Sequence, residues 1–168
     1  MASTNKHYSI LAKSFRWFTV IIFAYGITKQ VNEISDLHSR ALLKFEMQFA
    51  LIFLALILFR YIYMSKTQIS ALQKEAPKWQ IWISAIVHKA MYIALSAIAL
   101  TGLTIGQLFY MGFTEGMIIG VVTELHGISV SISYFLIALH IVAAIYHRLK
   151  KDGVWSAMVP YLFKEYPA

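Results

Sequence analysis

Four long apolar stretches, at about 15–27, 41–64, 81–111 and 117–147, constrain this chain more than any other feature. About 20 apolar residues in a helix cross a hydrocarbon core about 30 Å thick, and lipid offers backbone amides no other partners. The expected fold is therefore all-α, a transmembrane four-helix bundle, running up-down-up-down because the connections are short. The first stretch is short alone, and the amphipathic lead "YSILAKS" or the following turn completes it. Composition agrees: 59% of the 168 residues are hydrophobic and 14% charged, beyond the range of ordinary soluble domains. We expect one membrane domain over 1–168, in contact with the lipid bilayer.

The formal charge of +7 would suggest nucleic acid in a soluble protein, but here it records orientation, and no nucleic-acid partner is expected. Lys6, Lys13 and Arg16 precede the first span, Arg60, Lys66, Lys74 and Lys78 follow the second, and Arg148, Lys150, Lys151 and Lys164 follow the fourth. The positive-inside rule makes that side, with both termini, cytoplasmic. No segment reads as a cleaved signal. With no cysteine in the chain, thiolate metal sites and disulfides are excluded, leaving imidazole, oxygen and thioether as ligands. No catalytic side-chain set stands out.

The fourth span, "LHGISVSISYFLIALHIVAAIYHRLKKDG", carries His126, His140 and His147. At about 100° per residue, spacings of fourteen and seven place all three on one face. His126 and His140 are then about 21 Å apart along the axis, near opposite depths of the bilayer. Two core imidazoles on one stripe rarely arise from packing alone. A tetrapyrrole held between helices is the chemical alternative, since neutral imidazole is a strong axial ligand for haem iron. His147 heads the basic run "HRLKKD" and is equally an interfacial anchor. His88, one turn before Tyr92 in the third span, is either a hydrogen-bonding group between helices or a secondary cofactor contact. Glu46 and Lys89 complete the ionisable groups within the spans, where such residues are functional candidates by default.

The fourth span resembles the fourth helix of the bacterial cytochrome b561 family, related to the cytochrome b subunit of nickel-iron hydrogenases. The paired histidines, "ALH..AA..H", the closing "KDG" and the downstream "MVP" carry the likeness. "AIVHKAMYIALSAIALTGL" is similar to that family's third helix, "LFRYIYM" to the end of its second with Arg60 at a characteristic arginine, and "HYSILAKSFRWFTV" to its entry into the first. The resemblance implies two b-type haems, with His126 an iron ligand of the outer one and His140 of the inner one. It also implies electron transfer to or from a quinone or another redox partner of the respiratory chain, in a multi-pass protein of the bacterial inner (plasma) membrane.

The opposing ligands that the resemblance requires are replaced. Arg16 stands in "FRW" before the tryptophan, where a first-helix histidine is expected, and Glu46 stands in "KFEMQ" where the second-helix histidine is expected, with Ala50 replacing a glycine one turn on. Guanidinium has no lone pair for iron, so Arg16 is expected to reach headgroups or a carboxylate instead. A carboxylate does bind ferric iron, which keeps Glu46 as a candidate and predicts that it faces His126. Met47, turned by about 100°, and His38, about 12 Å away along the helix, are poor substitutes. Phe15, Trp17, Phe45 and Phe49 are bulky enough to fill a vacated pocket. Two functions follow: an electron-transfer component that keeps haem b at reduced stoichiometry, or a haem-deficient structural or docking subunit of a larger membrane complex or homodimer.

Overall fold

The computed structural model describes residues 9–29, 31, 33–67, 77–152 and 154–158. Lys6, Lys74 and Lys164, the glycine of "KDG" and the last two residues of "MVP" lie outside the described residues. The described chain forms five α-helices, α1 (Ile10–Thr28), α2 (Arg40–Thr67), α3 (Lys78–Tyr110), α4 (Met117–Lys150) and α5 (Val154–Met158), with a 3-10 turn at Ile34–His38. Four of these are long and apolar enough to cross a membrane. They bear out the four spans and lengthen α1 through its amphipathic lead.

Local chemistry sets the helix ends. Ser9 caps α1 by accepting from the Ala12 N–H at 3.1 Å, and its hydroxyl meets that of Tyr63 on α2 at 3.0 Å. Between α3 and α4 the turn passes through Gly112 at φ 86° and Gly116 at φ 104°, left-handed backbone that side chains disfavour. Lys151 ends α4 at φ 53°. Asp152 then accepts from the Val154 N–H at 3.2 Å, opening α5.

Packing follows chain order, α1 on α2, α2 on α3 and α3 on α4, with α5 folded against α4. One buried cluster, Leu37, Leu43, Ile105, Phe109 and Ile119, sits at the end holding the 3-10 turn and the α3–α4 turn, here called the loop end. A second, Phe53, Ile57, Leu95 and Ala99, occupies the middle. The terminal end holds the start of α1 and the close of α4. The Met47 side chain of α2 packs directly on Gly106 of α3, where a Cβ would lie 2.5 Å from Met47 Cγ. Large side chains such as Phe59, 70% exposed, and Phe135, 68% exposed, project outward, as expected where lipid is the solvent.

Candidate functional site

The predicted residues fall into two groups, one at each end. At the loop end a cavity of about 420 Å³ opens among α1, α2, α3 and α4, and both Glu46 and His126 line it. This places the two on one cavity, as the reading of α2 requires. His126 is fixed from α3. The Thr101 hydroxyl donates to the Ala97 carbonyl at 2.6 Å and meets His126 Nδ1 at 2.9 Å. With the hydroxyl also within reach of the Ile98 carbonyl at 3.1 Å, the arrangement suits the tautomer in which Nδ1–H donates to Thr101 and Nε2 carries the lone pair. Such a bond to one ring nitrogen is the usual way a protein orients a metal-binding imidazole. Gly102 makes room, because a Cβ there would touch His126 Cε1 at 3.5 Å.

On the facing wall, Glu46 Oε1 is buried and has no hydrogen-bond partner among the described residues. Phe49 also lines the cavity, stacked at 6.3 Å between Phe45 and Phe53. The other two bulky candidates turn elsewhere: Phe15 packs on Tyr63 with centroids 5.6 Å apart, and Trp17 is exposed. Neither proposed substitute ligand is on the cavity. Met47 is turned to Gly106, and His38 bonds the Ser35 carbonyl at 2.7 Å with its ring edge-on to Phe109.

The terminal end is built differently. His88 Nδ1 lies 2.7 Å from the Ser84 carbonyl, one turn back in its own helix. Its ring meets His140 edge to face, centroids 5.1 Å apart, so the two imidazoles are in mutual contact. Both line a second pocket of about 360 Å³ among α3, α4 and α5. Arg16, at the start of α1, is half-buried at this end of the bundle. Arg60 stacks over Tyr92 at 5.4 Å, with its Nε buried and lacking a hydrogen-bond partner among the described residues. His147 is engaged by Asp152 Oδ2 at 2.6 Å and faces Gln80 at 3.5 Å, a geometry that anchors the close of α4 to α5. Lys89 is exposed.

Sequence reasoning missed Thr101 and Ser133. Ser133 lies seven residues from both His126 and His140, is 1% exposed, and buries a hydroxyl with no partner among the described residues. The spacing alone would have found it, had polar residues other than histidine been counted along the stripe.

The sequence profile of the family described as prokaryotic cytochrome b561 matches residues 7–161. The chain belongs to that family. It is 28% identical to cytochrome b561 homolog 1 of Escherichia coli (strain K12) over 97 residues, 50% of this chain and 55% of that protein. The match thus spans about half the length of that curated relative. No solved structure matches the chain significantly. With four helices long and apolar enough to cross a membrane, it is a multi-pass membrane protein of a family that normally binds haem b.

The two ends fit that cofactor unequally. At the loop end a cavity, an oriented imidazole with a free lone pair and an unpartnered carboxylate oxygen suit an iron-centred ring. At the terminal end the cytochrome b561 arrangement lacks one side: Arg16 brings no lone pair, and His140 packs against His88. The residues there do not fit a second haem held between α1 and α4.

Proposed function

We propose that this protein is an electron carrier with one haem b, seated in the loop-end cavity and held by His126. The observation that carries the reading is the Thr101–His126 hydrogen bond at 2.9 Å, a geometry that suits the tautomer iron needs. Thr101 orients the ring, and Gly102 gives it space. The apolar walls, from Phe49 and Phe53 to Ile98 and Ile105, exclude water and lower the local dielectric. Haem iron, when bound, supplies the reversible one-electron couple. Electrons pass at the loop end to or from a quinone in the bilayer or a redox partner, as part of a respiratory chain in the bacterial plasma membrane. The basic residues beside the termini support a cytoplasmic location for both termini, which would put the haem toward the outer face.

Arg16 and the His88–His140 contact support a second reading for the terminal half, in which it docks against a partner subunit and holds no cofactor. In its extreme form the whole protein is a haem-deficient subunit of a larger complex. Haem content of the purified protein, measured by absorption after conversion to the pyridine complex, decides among these. One haem per chain is expected. Two per chain would overturn the one-ended reading, and none after reconstitution would leave the structural subunit.

A further inference from the structure

Glu46 is the residue by which this chain departs from the expected imidazole at its better-formed site, and its surroundings do not neutralise it. The residues beside it on α2 turn elsewhere, Met47 toward Gly106 and Phe45 toward the exterior. Glu46 faces the cavity with Ala50 and Phe53, on the same stripe of the helix. No lysine or arginine lines that cavity among the described residues. The Thr123 hydroxyl, also on its wall, is committed to the Ile119 carbonyl at 2.8 Å. Burying a carboxylate oxygen without a donor or a cation is unfavourable, so a side chain kept in this state points to a partner that is not a side chain. A ferric haem is such a partner: the porphyrin dianion leaves a net positive charge at iron, and a carboxylate oxygen both binds and neutralises it.

We propose that Glu46 would hold the haem iron together with His126 at the loop-end site, making it a histidine–carboxylate haem centre. The proposal rests on the reading of this cavity as the haem site. Carboxylate is a weaker-field ligand than imidazole, and its charge favours the ferric state. The centre therefore has a high-spin ferric iron and a lower reduction potential than a bis-imidazole haem in the same cavity. It also keeps a position that a small ligand can enter once the carboxylate is removed.

The test uses the full-length protein, loaded with haem, compared with Glu46→Gln, Glu46→His and Glu46→Ala. Electron paramagnetic resonance and absorption of the ferric state are recorded, with a redox titration of each variant. A high-spin wild-type spectrum, changed in Glu46→Gln and converted to low spin with an upward shift of potential in Glu46→His, is the expected result. Glu46→Ala should turn low spin when imidazole is added, a check that survives if the glutamine variant folds poorly. Haem bound equally by wild type and Glu46→Gln with identical ferric spectra, or a Glu46→His variant that stays high spin, overturns the ligand assignment and leaves the haem site standing. A wild-type protein that binds no haem overturns the site itself and the proposal with it.

Discussion

The two ends of this bundle start from the same kind of residue, a histidine on one stripe of α4, and use it in opposite ways. At the loop end His126 is held by a hydroxyl from α3 and faces a cavity with a carboxylate on its far wall. At the terminal end His140 is packed edge to face against His88. The difference teaches that an imidazole in a membrane helix gains its chemistry from the facing helices. A neighbour that spends one ring nitrogen and leaves space at the other makes a ligand site. A neighbour whose imidazole meets the ring edge to face ties the two rings to each other and offers iron no donor from a facing helix.

The largest effect expected separates the two histidines. His126→Ala should remove the Soret band, while His140→Ala should retain nearly all of it, with both variants still inserted as four-helix bundles by circular dichroism. Equal loss in both would break the comparison, because it would place iron at the terminal end as well.

Next in size is the attempt to rebuild the weak end. Arg16→His restores an imidazole where the resemblance expects one, and haem content should rise from about one toward two per chain if the terminal end still has room for a ring. No rise on adding haem would show that packing, beyond the lost ligand, closes that end. That result would support a docking role for the terminal half.

Hydropathy alone located the four spans, because lipid demands about 20 apolar residues whatever the partners are. The stripe of His126, His140 and His147 was equally legible, since its spacing is a property of one helix. What was not legible is everything that depends on how one helix is rotated toward another. In a soluble bundle the apolar face reveals that rotation, but here Phe59 and Phe135 are as apolar as the buried Phe53 and Phe109. Thus nothing within the third span alone points His88 at His140 or singles out Thr101 as the partner of His126. The helix α5 escaped notice because five residues carry too little pattern to read. Glu46 was legible only as a departure from a resemblance, and its burial on the His126 cavity required the fold.

A smaller effect concerns the packing that holds the loop-end wall in place. Gly106→Ala puts a methyl group where Met47 Cγ lies only 2.5 Å away, so α2 or the Met47 side chain must shift. Overpacking of this kind destabilises by about 1–3 kcal/mol. Gly120→Ala, where nothing lies within 4 Å, should be neutral or slightly stabilising because alanine is the better helix former. Unfolding of both variants in mixed detergent measures the contrast. Equal stability would mean that α2 and α3 slide past each other freely and do not fix the position of Glu46.

The smallest effect tests the orientation of His126 itself. Thr101→Val keeps the shape of the side chain and removes the hydroxyl that His126 Nδ1 meets at 2.9 Å. The bond to Ala97 disappears too, but that carbonyl remains part of the helix ladder, so its loss matters less. The net change in stability should be only about 0.5–1.5 kcal/mol, the usual contribution of one neutral hydrogen bond. The effect on the site should be more specific. With the hydroxyl gone and only the Ile98 carbonyl left beside it, the ring is held less firmly, so haem should dissociate faster and the ferric resonance should broaden. Thr101→Ser, which keeps the hydroxyl, should restore both. If valine leaves haem retention and line shape unchanged, Thr101 is merely a packing residue. The difference between the two ends would then lie in the cavity and in Glu46 alone.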